Sequence, residues 1–409
     1  MLTPLVQLCI FIPEGELKES AMERTYWFEE PSRYGKIIDR LGMTQDEYLS
    51  LVRLVIKAFP KDWVEKELTR WRKTKGWVRP LFADNIYPVP FYRLPYNPIP
   101  ILFEVVPGGS WSVVDLIRLG RLLRTYEDVV GDQRIFKRLR THDNYIGALF
   151  ELEVLATFVE AGFSLKVPPE ADGVDFTFEK ESRTIFVEAG HCGISWILHL
   201  VNEIALRIPS INKSPHPKRS VRVLLDYRRV RGEDIAEEIA AKIAEAEMGL
   251  IDSGFEDPNK RYRIQVSTSK EGSLCIDWHE PTDYVYETKE LLRRKLTQKR
   301  DQLSRHNGSF CAVDLRSLIP CITETDHDIC ATFLREAISV VLEFLEENPS
   351  VGGVLIWLRH VRRVKDPIVD RLNQNEIVLI ASPDHLTEDE AGELFPFAKL
   401  PKDLDWYSG

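Results

Sequence analysis

The chain has 409 residues, 44% of them hydrophobic and 29% charged, with a formal net charge of -10. That length allows two or three domains and a large buried core, and the charge excludes a protein coated in basic surface for nucleic acid while leaving room for one local basic groove. Six cysteines (Cys9, Cys192, Cys275, Cys311, Cys321 and Cys330) lie without a CxxC or a Cys/His pair at zinc spacing, which speaks against a disulfide framework or structural zinc and for a reducing cytoplasm.

In chain order, "MLTPLVQLCIFIPEGE" has an apolar run but neither a basic region nor a small-residue cleavage site, so it reads as a buried strand or helix rather than a signal. No window approaches the ~20 apolar residues of a membrane span. Residues 1–140 form a mainly helical region: "MTQDEYLSLVRLVIKAF" and "PKDWVEKELTRWRKT" have helical spacing and helix-start chemistry. Between them and the next helix, prolines and aromatics recur from Val78 to Gly109, a pattern of an extended, packed connector. Helices follow at "SWSVVDLIRLGRLLRTYEDV", "QRIFKRLR" and "NYIGALFELEVLATFVEAG", the last ending at Gly162.

The period then changes. "FSLKV", "GVDFTF" and "RTIFVEAG" read as strands, "SWILHLVNEIALRI" as a helix and "SVRVLLDY" as a strand, an α-β-β-β-α-β order. Helix "GEDIAEEIAAKIAEAE", strands "YRIQVST" and "SLCIDWH", and the charged helix "YETKELLRRKLTQKRDQLSRH" come next. Alternating elements from "SFCAVDLRS" to "EIVLIASP" then suggest that the same sheet continues as a C-terminal α/β extension.

Within "GVDFTFEKESRTIFVEAGH", strand alternation puts Glu188 on one face with Phe186 and Gly190, and Ile185, Val187 and Ala189 on the opposite, apolar face. Asp175 likewise faces away from Val174, Phe176 and Phe178. Two carboxylates on such a scaffold can hold one or two hard divalent cations, which polarise a phosphodiester and acidify an attacking water. The plain alternative is a pair of solvated charges at strand edges.

This order of elements and acids resembles the restriction-endonuclease-like, or PD-(D/E)XK, nuclease superfamily, over a core at residues 143–227 within an α/β domain at 141–409. The resemblance implies an α/β fold with that α-β-β-β-α-β core, and metal-dependent hydrolysis of nucleic acid, DNA expected, with Mg2+ or Mn2+. It makes Asp175 and Glu188 the metal-binding acids, the Ala189 carbonyl a further ligand and Glu151 an accessory catalytic acid. Glu153 is the competitor for that last role, but two residues along a helix point well apart. Val174 stands where the family's proline would be, and Gly190 where its lysine would be. Lys166, His191 and Lys213 are the candidate stand-ins. The rival reading is a catalytically silent nuclease fold that binds nucleic acid or protein, as an oligomer or with a partner.

Residues 211–232 carry Lys213, Lys218, Arg219, Arg222, Arg228, Arg229 and Arg231 against the single acid Asp226, a candidate phosphate-binding segment or an ordinary solvated loop. On "LLRRKLTQKRDQLSR", the residues Arg294, Lys295, Lys299 and Gln302 share a stripe that either grips a backbone or faces solvent, and "RHVRRVK" is a third basic cluster. His191 and Cys192, adjacent in a strand, point to opposite faces and do not suit a cysteine hydrolase.

Overall fold

The computed structural model describes residues 31–64, 66, 110–141, 144–166, 173–192, 200, 204, 219–230, 234–268, 273–279, 281–316, 327–359 and 375–404. The connector at 78–109 and most of the expected helix at 195–208 lie outside them. No described helix is long and apolar enough to cross a membrane.

Helices α1 (Gly35–Arg40) and α2 (Gln45–Ala58) come first. Thr44 and Glu47 form a capping box that starts α2, the Thr44 side chain accepting from the Glu47 amide at 3.2 Å and the Glu47 carboxylate from the Thr44 amide at 2.7 Å. Helices α3 (Ser110–Val129), α4 (Arg134–Leu139) and α5 (Tyr145–Glu160) follow. Their apolar faces, with Tyr48, Leu51, Leu116 and Phe150 buried, share one core with a face of the main sheet. The Phe150 ring meets Trp357 edge-on at 5.3 Å.

That sheet has six strands in the order β1 (Ser164–Leu165), β2 (Phe176–Lys180), β3 (Arg183–His191), β8 (Ser309–Asp314), β9 (Val351–Arg359) and β10 (Asn375–Ala381). The central pairs β3–β8 and β8–β9 are parallel, and the outer pairs are antiparallel. A second sheet, β5 (Gly254–Glu256), β6 (Tyr262–Thr268), β4 (Arg219–Asp226) and β7 (Ser273–His279), comes from chain between β3 and β8, with helices α6 (Tyr227–Val230) and α7 (Ala236–Glu247). Helix α8 (Pro281–Leu303) leads into β8, and α9 (His327–Glu347) joins β8 to β9. Alternate residues divide the central strands between two cores: Phe310, Ala312, Leu355 and Trp357 face α5, while Cys311, Val313, Val354 and Ile356 face α8 and α9. Helix α10 (Glu388–Leu394) covers the end of the first core.

One expectation is corrected here. "SVRVLLDY" does not supply the strand beside β3: it is β4, in the smaller sheet, and the parallel neighbour of β3 is β8. The physical reason lies in the side chains. Every residue of "SFCAVD" is buried, as a central parallel strand covered on both faces demands. In β4 only alternate residues, Val221, Val223 and Leu225, are buried, and Arg222 is exposed. The continuation of the main sheet into the C-terminal half holds for β8, β9 and β10.

The β2–β3 hairpin sets the register of the acids. Its turn is the two residues Glu181 and Ser182, at φ 49° and 65°, between paired Lys180 and Arg183. Both lie in the left-handed region that suits a tight hairpin but strains a residue with a Cβ. Ser182→Gly is therefore expected to stabilise the chain by about 0.5–1 kcal/mol, seen as a higher urea midpoint at unchanged slope. An unchanged midpoint would show that the turn is not strained.

Candidate active site

On β3, the side chains of Ile185, Val187 and Ala189 enter the core shared with α5, and Phe186, Glu188 and Gly190 turn to the face covered by α8. Three contacts follow the strand. His306, just past the end of α8, stacks on Phe186 with ring centroids 3.9 Å apart, Lys299 reaches Glu188, and the Lys295 stem lies across Gly190.

Asp175 stands one residue before β2, across from Glu188 in a register that pairs Phe176 with Val187. Its Oδ2 accepts from the Ala189 amide at 2.9 Å. Lys299 Nζ donates to Glu188 Oε2 at 2.5 Å and to Asp175 Oδ2 at 3.4 Å. Two oxygens on one ammonium are necessarily closer together than the sum of those distances, so one cationic group spans both carboxylates.

Glu188 is fully buried, and burial together with the Asp175 carboxylate pushes its carboxyl up from 4.5 to about 8. Lys299 is raised as well: burial disfavours its charge, but Asp175 and Glu188 outweigh that. The Lys299–Glu188 distance is that of an ion pair, whereas the raised Glu188 pKa has the carboxyl protonated near neutral pH. The direction that stands is the raised Glu188 carboxyl, because burial and the Asp175 charge together outweigh the single Lys299 ammonium.

Glu151 on α5 forms a bidentate pair with Arg138, with Nη2 to Oε1 at 2.6 Å, and lies in electrostatic range of Asp175 and Lys299. Burial raises its carboxyl, Arg138 opposes the rise and Asp175 adds to it. Of the three acids singled out in the sequence, Asp175 and Glu188 meet on Lys299, and Glu151 is held by Arg138 within electrostatic range of them. Glu153 goes elsewhere, as its helical position requires: it is buried between Arg118 and Arg316, 2.5 Å from Arg316 Nη1. Arg316 also holds buried Asp314 at 2.8 Å, and although burial pushes the Asp314 carboxyl upward, Arg316 keeps it far below the ordinary range. This ionic cluster ties α3, α5 and the end of β8 together.

The stand-ins named for the missing lysine are elsewhere. Lys166 is exposed and pairs with Glu179 at 3.1 Å, His191 Nδ1 is hydrogen-bonded to Asp314 at 3.2 Å, and Lys213 lies outside the described residues. Lys299 is the lysine that the structure brings to the acids. A side chain at 190 would have to displace Lys295, because a Cβ there would sit 2.9 Å from Lys295 Cδ. Buried Cys192 has its thiol pushed well up by burial, as suits an unreactive cysteine.

Of the basic segment, Lys218 and Arg231 also lie outside the described residues, as does the side chain of Arg228. Arg219 is turned inward, donating to the Ile251 carbonyl at 2.7 Å, and Arg229 pairs with Asp226 at 3.1 Å. These two are committed within the small-sheet region, while Arg222 is exposed on β4. Of the "RHVRRVK" cluster, only the backbone of Arg359 is described.

The carboxylates fit a hard dication on one specific observation: Glu188 Oε1 is buried with no hydrogen-bond partner, an acceptor whose isolation costs about 1–3 kcal/mol. Among the described residues no group of three or more His, Cys, Asp or Glu side chains is arranged for a metal. A cation here would take two carboxylates and complete its shell from backbone oxygen and water, a usual arrangement for Mg2+.

Compared with protein-family models, curated proteins and solved structures, the chain finds no match.

Lys299 was legible as part of a basic stripe but not as a partner of the acids. The signal lay in the strand after its helix. A strand with a continuous apolar run, such as "FCAV" at 310–313, belongs at the centre of a parallel sheet, and the helix leading into a parallel strand packs on the face of that sheet.

The Glu188 pKa predicts a pH dependence in metal-free protein. The folded chain keeps a proton that the unfolded chain releases above 4.5, so this group's stabilising effect is complete below 4.5 and is lost as pH rises through about 8. Urea unfolding in EDTA should show stability falling across that window, and Glu188→Gln should remove most of the fall. Equal slopes in the two proteins would contradict the assignment.

Proposed function

We propose that the chain is a metal-dependent nuclease of the restriction-endonuclease-like type, with DNA as the expected substrate. With the small sheet taken as an insertion, the order α5-β1-β2-β3-α8-β8 resembles that family's core and moves its last helix and strand to 281–314. The observation that carries the reading is the Lys299 ammonium in contact with both Asp175 and Glu188. It supplies, from a helix, the charge that Gly190 cannot.

In this reading Asp175, Glu188 and the Ala189 carbonyl would hold Mg2+ or Mn2+, which would supply Lewis acidity and a more acidic water. The chain's own groups do the rest. Lys299, released from the carboxylates, stabilises negative charge at phosphorus and orients the water. Glu151, held by Arg138, keeps negative charge near Asp175. Hydrolysis adds the water oxygen to phosphorus and breaks one P–O ester bond.

The same ammonium supports a second reading. A lysine that already neutralises both acids is what a silent relative that has exchanged its metal for an internal cation would carry, with the fold kept for binding or assembly.

Cleavage assays on plasmid, single-stranded DNA and RNA with Mg2+ and Mn2+ separate the two. The nuclease reading expects cutting that falls by at least about 100-fold in Asp175→Ala, Glu188→Ala and Lys299→Ala, with Lys166→Ala unaffected. Retained binding without any cutting by the wild-type chain would favour the silent relative.

A further inference from the structure

Two glycines bracket the acids in sequence, Gly173 two residues before Asp175 and Gly190 two residues after Glu188. In the structure both are occupied from the same helix run. A Cβ on Gly190 would lie 2.9 Å from Lys295 Cδ and 3.2 Å from its Cγ, and one on Gly173, whose φ is +70°, would lie 2.6 Å from Arg305 Nη1. Each glycine is thus a seat for a long basic side chain. Lys299, on the acids, lies between the two in sequence.

Two other cations of α8 are matched by acids of α9. Lys289 bonds to Glu336 at 2.5 Å, and Arg293 bonds to Glu343 at 2.9 Å. By contrast, the side chains of Lys295 and Arg305 make no hydrogen bond or ion pair with any described residue. From Lys295 to the end of α8 at Leu303 the helix runs roughly 12 Å, and Arg305 stands two residues beyond that end.

We infer that Lys295 and Arg305 grip the phosphates on either side of the one presented to Asp175 and Glu188, and that Gly190 and Gly173 are glycines so that these side chains can lie flat against the strand ends. The inference rests on the nuclease reading and adds to it the track of the substrate strand, along α8 rather than along residues 211–232. Phosphate contacts of this kind position a strand without reading its sequence.

The test is fluorescence anisotropy of the full chain with fluorescein-labelled single-stranded and duplex DNA and with single-stranded RNA, in EDTA, over a series of salt concentrations. Lys295→Met, which keeps the apolar stem, and Arg305→Gln should each weaken binding roughly fivefold to tenfold near 0.1 M salt and lower the slope of log K against log salt by about 1. Gly190→Ala should weaken binding in the wild-type background, by displacing the lysine, and add nothing in Lys295→Met. Thermal unfolding within a degree or two of wild type confirms that the variants fold. Wild-type binding with unchanged affinity and slope in Lys295→Met and Arg305→Gln would overturn the track and leave the nuclease reading standing. Independent, additive effects of Gly190→Ala and Lys295→Met would overturn the seat. No binding of DNA or RNA by the wild-type chain would overturn both the track and the nuclease reading.

Discussion

One ammonium between two carboxylates is the constraint on which the rest of this site depends. Glu188 is fully buried, and a charge so placed is tolerated only with a partner. Lys299 provides that partner from across the sheet, so α8 must pack against β3 in one register. That register brings Lys295 over Gly190 and His306 onto Phe186. The position that would carry a lysine in the proposed family is closed by the helix that supplies another lysine in its stead.

Neighbouring acids on α5 show how the same scaffold separates structural from reactive charge. Glu153 is consumed by Arg118 and Arg316 in a buried cluster that fixes the end of β8 relative to α3 and α5. Glu151, two residues away, is kept by Arg138 within electrostatic range of Asp175. Breaking a buried ionic cluster leaves an uncompensated charge, at a cost of about 3–5 kcal/mol. The cluster therefore acts as a rigid support beside the pair of carboxylates on Lys299.

Much of this was legible in the sequence because strand alternation is a strict rule. The facing of Glu188 with Phe186 and Gly190, the separation of Glu151 from Glu153 and the placing of most helices and strands follow from periodicity alone. What was not legible depended on long-range pairing. "SVRVLLDY" and "SFCAVD" both read as strands, and local pattern does not say which one pairs with β3 when a whole small sheet intervenes. The error moved the expected crossover helix, and with it the search for a lysine, away from α8. In the basic run at 211–232, charge density in sequence likewise does not reveal that Arg219 and Arg229 have partners within their own region.

The proposed mechanism requires that a divalent cation and Lys299 compete for the same two carboxylates. The most direct measurement is Mn2+ binding to the full chain, followed by the loss of its free-ion EPR signal, in wild type, Asp175→Asn, Glu188→Gln and Lys299→Met. The account predicts that wild type binds Mn2+, that both carboxylate variants lose that binding, and that Lys299→Met binds more tightly because the internal competitor is gone. Mn2+ binding that is absent in every protein, or unchanged in Asp175→Asn and Glu188→Gln, would contradict it.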